Sequence, residues 1–164
     1  PTEKDLRETY LPAFEMLVKD AGVEAIMGAY NRVDGEPSCG SDKLQSILRG
    51  EWGFQGHFVS DCWAIRDFHT GHMVTSTAEE SAALAINHGC DLNCGSTYLY
   101  VQKACEDGLV SEEKITEAAA RLFTSRYLLG LLTRRSLISF PIWRWSPGSI
   151  WLWQKKRRQR ALFY

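Results

Sequence analysis

The chain has 164 residues, 45% hydrophobic and 24% charged, enough for one domain with its own core. No run is long and apolar enough to span a bilayer, and the first residues, Pro1-Thr2-Glu3-Lys4-Asp5, lack the basic and then apolar stretch of a signal peptide. The net charge of −1 divides sharply: residues 1–132 hold 11 basic and all 20 acidic residues, net −9, and residues 133–164 hold 8 basic and no acidic ones, net +8. An acidic body gives no footing to a nucleic-acid partner, and so sharp a change marks a boundary.

Along the chain, Pro12 suits the first position of a helix, where its missing N–H is not needed. Phe14, Leu17 and Val18 follow at helical spacing, and Gly22 suits the stop. Val23 to Tyr30 is short and mostly apolar, which fits a buried strand. Asn31 to Pro37 has loop chemistry. Ser41 can cap a second helix with Leu44, Ile47 and Leu48 on one face. His57-Phe58-Val59-Ser60 reads as a second strand that ends at Asp61. Thr77-Ala78-Glu79-Glu80 reads as a capping box before Leu84, Ala85 and Ile86, with Gly89 as the stop. Cys90-Asp91-Leu92-Asn93 is a third strand candidate. Ser111 caps a longer helix with Glu112 and Glu113 in its first turn, Ile115, Ala119, Leu122 and Phe123 on its apolar face, and Gly130 at its close.

Alternating helices and strands predict βαβ units and a parallel sheet. The strands end in polar residues, Tyr30-Asn31, Ser60-Asp61 and Asn93, and in α/β folds those carboxyl ends carry the sites. Asp61 leads the candidates. A carboxylate beside Trp63 offers charge and a flat apolar surface together, which suits a sugar, whose C–H faces alternate with hydroxyls. The plainer reading is a solvated strand-end aspartate or a helix cap. Tyr30 holds the analogous place one strand earlier, or is an ordinary core aromatic. Asp91 could be a second carboxylate, or a structural aspartate at a helix-to-strand junction.

Five cysteines, Cys39, Cys62, Cys90, Cys94 and Cys105, are odd in number and match no disulfide framework. They are read as buried reduced thiols, which favours a cytoplasmic setting. Cys90 and Cys94 beside His88, and the pair His69 and His72, are weak metal motifs without a second ligand pair at zinc spacing. No metal or other cofactor is expected.

Several ordered blocks resemble a known family. They are Met27-Gly28-Ala29-Tyr30-Asn31, Gly35-Glu36-Pro37, Leu48-Arg49-Gly50-Glu51-Trp52-Gly53-Phe54, and Phe58-Val59-Ser60-Asp61. They continue through Glu79-Glu80-Ser81-Ala82, Gly89-Cys90-Asp91-Leu92, Gly108-Leu109-Val110 and Leu129-Gly130-Leu131. Together they resemble the end of the N-terminal (β/α)8 barrel of glycoside hydrolase family 3, over nearly all of residues 1–131. The resemblance implies a partial TIM barrel, its last three βα units only. It implies a retaining glycosidase acting on terminal β-D-glucosyl or β-D-xylosyl residues, with Asp61 at the position of the nucleophile. Tyr30 matches a tyrosine close to that nucleophile, and Met27 and Trp63 match walls of the glycone subsite. Many members carry Trp directly after the Asp; here Cys62 intervenes.

The family's acid/base Glu usually comes from a domain after the barrel and has no counterpart here, so it is expected from a missing C-terminal domain. Pro1 is not a natural start, and the family's Lys-His pair is expected upstream. The implied partner is a β-linked saccharide or glycoside, with no nucleic acid and no membrane. Three βα units cannot close a barrel, so the chain alone is expected to be inactive. The alternative is a non-catalytic remnant or carbohydrate-binding fragment. Residues 1–132 form the family domain in this reading. Residues 133–164, with Trp143, Trp145, Trp151, Trp153 and a basic run from Lys155 to Arg158, do not resemble the family and read as a frameshifted or disordered tail.

Overall fold

A computed structural model describes residues 1–131, and the predicted tail, 133–164, lies outside the described residues. The chain divides after Ser125; beyond it, the described residues are the last turn of the final helix and the turn at Gly130.

The N-terminal helical segment runs through α1 (Glu3–Asp5), a wider π-type turn at Leu6–Tyr10, and α2 (Pro12–Lys19). Thr2 starts it with a reciprocal capping box to Asp5. Pro12 stands in the first turn of α2, as the sequence predicts. Strand β1 spans Ala25–Gly28, shorter than the apolar run that predicts it. A small hairpin follows, β2 (Arg32–Val33) and β3 (Glu36–Pro37), antiparallel. Ser41 caps α3 (Asp42–Gln45), its Oγ accepting from the Leu44 N–H at 3.1 Å, and the helix widens into a π-type turn over Ser46–Glu51.

Strand β4 (His57–Ser60) pairs parallel with β1, Gly28 opposite Ser60. The third predicted strand is reduced to one parallel bridge, Val59 to Leu92, supported by hydrogen bonds from Ser60 N–H to Leu92 O and from Asp91 N–H to Phe58 O. The described residues therefore form a mixed α/β fold with parallel pairing, α4 (Asp67–Thr70), α5 (Ala78–Asn87), α6 (Val101–Glu106) and α7 (Glu112–Leu128) completing it.

Thr77 caps α5 as predicted, its Oγ1 accepting from Glu80 N–H at 3.2 Å. The Glu80 carboxylate reaches one residue further back than a capping box requires, to the Ser76 N–H at 2.6 Å. The predicted face of α7 holds in part, with Ile115, Ala119 and Leu122 half-buried, but it is turned at Phe123. Ala118 and Ser125 point inward, while Phe123 is 48% exposed. Polar contacts set that rotation: Arg121 must reach Asp91, and Ser125 Oγ donates to Glu24 Oε1 at 2.6 Å while lying 2.8 Å from His57 Nδ1. With the serine proton committed to Glu24, His57 donates through Nδ1. This chain of bonds fastens α7 to the entry of both paired strands.

The core lies between β4 and the helices that follow it. Phe58, Ile65, Phe68, Ala85 and the thiols of Cys39 and Cys90 share one cluster, and Ala83, Ile86, Ala104 and Val110 a second between α5 and α6. Each large side chain buried there contributes roughly 1.5–3 kcal/mol.

Candidate active site at the strand ends

Parallel pairing brings the carboxyl ends of β1 and β4 to one edge. Asp61, the first residue beyond β4, donates its N–H to Gly28 O at 2.9 Å, so the ladder reaches past the strand and fixes the Asp61 backbone. Tyr30, two residues beyond β1, donates its hydroxyl to Cys62 O. The Tyr30 phenol is held above its ordinary value by burial and then by the charges of Asp61 and Asp67, so both carboxylates lie within its field. The Asp61 Oδ1 accepts the Cys62 N–H at 2.7 Å, and the residue is half-buried.

Trp63 adopts φ 69°, a left-handed backbone that costs a bulky residue roughly 1–3 kcal/mol unless its surroundings impose it. They do so here: its N–H donates to Cys94 O at 2.6 Å, and Gly95 leaves it room, since a Cβ on Gly95 would come within 3.3 Å of Cε3 of the ring. The Arg66 guanidinium sits 5.1 Å from the ring centroid. Trp63 is thus a held, 46% exposed aromatic two residues from Asp61. Met27 is 55% exposed on β1 and lines an apolar cavity of about 370 Å³ together with Tyr10, Phe14 and Ile26. Asp61, Tyr30 and Trp63 do not line that cavity. The strand ends therefore gather Asp61, Tyr30 and Trp63, and leave Met27 beside a separate apolar space.

The cysteine reading is corrected. Cys62 and Cys94 form a disulfide, because each stands two residues beyond one of two neighbouring strand segments, with Cα atoms 4.4 Å apart. Cys39, Cys90 and Cys105 are free, and the buried Cys90 thiol is pushed up by the neighbouring Cys39 thiol and by burial. A stable disulfide belongs to oxidising surroundings, so the cysteines no longer favour a cytoplasmic setting. The weak metal motifs form no group of three ligands among the described residues. Cys94 is bonded to Cys62, His69 Nδ1 lies 2.8 Å from Ser81 Oγ, and His72 Nε2 lies 2.8 Å from Tyr30 O.

Asp91 is structural. Its side chain is fully buried between Arg49 and Arg121 and also accepts the Phe58 N–H at 2.9 Å. Burial raises its carboxyl above the ordinary value, opposed by that N–H and by both guanidinium groups. With both oxygens occupied, it offers nothing to a ligand.

Two of the polar strand-end residues named from the sequence, Ser60 and Asn93, are bonded to each other beside the site. Ser60, 1% exposed, accepts from Asn93 Nδ2 at 3.1 Å and from Cys94 N–H at 3.0 Å through one Oγ.

Comparison with known proteins matches residues 1–125 to the model of the glycosyl hydrolase family 3 N-terminal domain. A xylan 1,4-beta-xylosidase of Xylanibacter ruminicola is 43% identical over 140 residues, covering 84% of this chain and 16% of the relative. A probable beta-D-xylosidase 6 of Arabidopsis thaliana is 40% identical over 131 residues, 79% of this chain and 16% of the relative. Among solved structures, a GH3 exo-beta-xylosidase (XlnD) in complex with a xylobiose aziridine activity based probe aligns with TM-score 0.75 and 33% identity, over 77% of this chain and 17% of that one. A beta-glucosidase from Listeria innocua in complex with isofagomine aligns with TM-score 0.78 and 30% identity, over 85% and 20%. The chain thus spans about a sixth of the length of these curated relatives.

Proposed function

The chain belongs to glycosyl hydrolase family 3, through the N-terminal domain of that family, and from this premise we propose that it supplies the nucleophile side of a retaining β-glycosidase site. The substrate is a β-linked saccharide or glycoside ending in a β-D-xylosyl or β-D-glucosyl residue. Relatives 40–43% identical bear the name β-xylosidase, which makes xylosides the first substrates to test. In this reading the fold is three βα units of an eight-stranded barrel. The parallel pairing of β1, β4 and the Leu92 segment supports it. The family domain covers residues 1–132, with 133–164 outside it.

The observation that carries the proposal is the gathering of Asp61, Tyr30 and Trp63 at the carboxyl ends of paired parallel strands. Asp61, ionised, attacks the anomeric carbon and forms a glycosyl-enzyme. Tyr30, beside it, and Trp63 bound the glycone, and Met27, matched to a glycone wall by the family resemblance, lines the apolar cavity. A second, protonated carboxyl roughly 5–5.5 Å away must protonate the leaving oxygen and then activate water. Asp91 is committed elsewhere, and the family resemblance implies that this group is a Glu from a following domain. The 164 residues alone therefore lack turnover.

The test is covalent labelling of the full-length protein with a xylobiose aziridine or a slow fluoroxyloside, followed by peptide mapping. Label on Asp61 supports the proposal, and label on another carboxylate overturns it.

A further inference from the structure

Three constraints converge on Cys62. Its N–H donates to Asp61 Oδ1 at 2.7 Å, its C=O accepts the Tyr30 hydroxyl, and its Sγ is bonded to Cys94. Cys94 is itself fixed twice. Its N–H donates to the buried Ser60 Oγ at 3.0 Å, and its C=O accepts the Trp63 N–H at 2.6 Å. One sulfur bridge thus joins the turn after β4 to the turn after Leu92, with Ser60, Asp61, Trp63 and Tyr30 all bonded to its two residues.

The strand ladder does only part of this work. β4 and the Leu92 segment share a single ladder bridge, Val59 to Leu92, so the sheet alone does not set where the Cys62 peptide lies relative to Asp61. Trp63 is held in a left-handed conformation next to it. A turn with a short ladder behind it and an unfavourable residue ahead of it relaxes when its crosslink is cut.

We propose that the Cys62–Cys94 disulfide is a positioning device for the reaction. It fixes the Cys62 peptide so that the N–H holds the Asp61 carboxylate in one orientation and the C=O holds the Tyr30 hydroxyl beside it. This rests on Asp61 being the nucleophile. Displacement of a reacting group by about 1 Å can cost on the order of 10²-fold in rate, whereas glycone contacts made by other groups survive. Opening the bridge therefore slows the attack more than it weakens glycone binding, which also changes because Tyr30 and Trp63 are bonded to Cys62 and Cys94 and shift with them.

The test uses the full-length protein in three forms: oxidised wild type, wild type reduced with dithiothreitol, and the variant Cys62→Ala/Cys94→Ala. Dithiothreitol gives two electrons and two protons to the bridge, leaves two thiols and closes its own ring disulfide. Alkylation and peptide mapping report which bond has opened. Inactivation by the xylobiose aziridine is resolved into its binding constant and its maximal rate, and isofagomine affinity is measured beside it. The maximal inactivation rate is expected to fall about 10- to 100-fold in the reduced and variant forms. Both binding constants should weaken by clearly less than the rate falls, as a loss chiefly of positioning appears in the maximal rate. Reoxidation restores the wild type, and dithiothreitol has no further effect on the variant. An unchanged rate with the bridge open overturns the proposal. So does a parallel loss of rate, isofagomine binding and melting temperature in both forms, which makes the bridge a staple of the fold. Label on a peptide without Asp61 in the oxidised protein removes the premise, and the proposal falls with it.

Discussion

Arg121 and Asp91 meet through two nitrogens on one oxygen: Nε lies 2.9 Å and Nη2 2.8 Å from Oδ1 of the buried carboxylate. The other oxygen, Oδ2, takes Arg49 Nη2 at 3.0 Å and the Phe58 N–H at 2.9 Å. One side chain therefore links α7, the turn after α3 and the centre of β4.

Asp91→Asn leaves two guanidinium groups facing a neutral amide. Removing one partner from a buried ionic network costs on the order of 3–5 kcal/mol. Urea unfolding of the variant is expected to show a loss of that size. A loss below about 1 kcal/mol, the usual scale for an exposed pair, would show that the network contributes little.

Asp61→Asn should behave in the opposite way. The side chain is half-buried and touches only its neighbour's N–H and the Tyr30 region. Stability is expected to change by less than about 1 kcal/mol, while covalent labelling of the full-length protein disappears. Persistent labelling at the wild-type rate would refute the assignment.

The strand ends owe their closeness to Gly28. A Cβ there would lie 2.5 Å from Cys39 Sγ and 2.8 Å from the Phe58 ring, atoms of the buried core. Gly28→Ala forces those groups apart and should cost roughly 1–3 kcal/mol. Pairing it with Cys39→Ala relieves the closer contact and should recover part of the loss in the same unfolding measurement.

Glu3, Asp5 and Glu51 hold their carboxyls below the usual range. Glu3 does so through Lys43 and then Arg7, Asp5 through Thr2, and Glu51 through Arg7. In acid the unfolded chain then binds more protons than the folded one. This stabilisation is present above the ordinary carboxylate values and is lost as pH falls through the lowered folded values. Melting temperature should decline between about pH 5 and pH 3. Glu51→Gln should lower it at neutral pH and leave it nearly unchanged at the acid end. Parallel curves for the two proteins would exclude the Arg7–Glu51 pair as a source.

The purified 164-residue chain is expected to hydrolyse aryl β-xylosides and β-glucosides no faster than its Asp61→Ala variant. General acid catalysis alone is worth about 10²–10⁴-fold, and the proposed acid lies in another domain. Turnover clearly above that control would show that a complete site is present.

Much of this was legible where one local signal dominates. β4 appears at the predicted residues because apolar positions and glycines bound it, and Ser41 and Thr77 cap where a short hydroxyl precedes a helical run. The short helices α4 and α6, of 4 and 6 residues, are too brief to show a period. The hairpin at Asp34-Gly35 carried a turn signal, but strands of two residues leave no alternation to read. The Cys62–Cys94 bond was invisible because a separation of 32 residues says nothing about which strand segments lie side by side. Of the predicted α7 face only Phe123 was misplaced, because hydrophobic spacing ignored Arg121 and Ser125, whose polar partners turn the helix.

The bond from Ser125 to Glu24 joins residues 101 positions apart. During synthesis, the base of β1 leaves the ribosome well before the helix that fastens it has been made. At about 5–20 residues per second that interval is roughly 5–20 s, far longer than the microseconds in which helices and small hairpins form. The nascent chain therefore carries its strand bases open to solvent and to chaperones until α7 emerges.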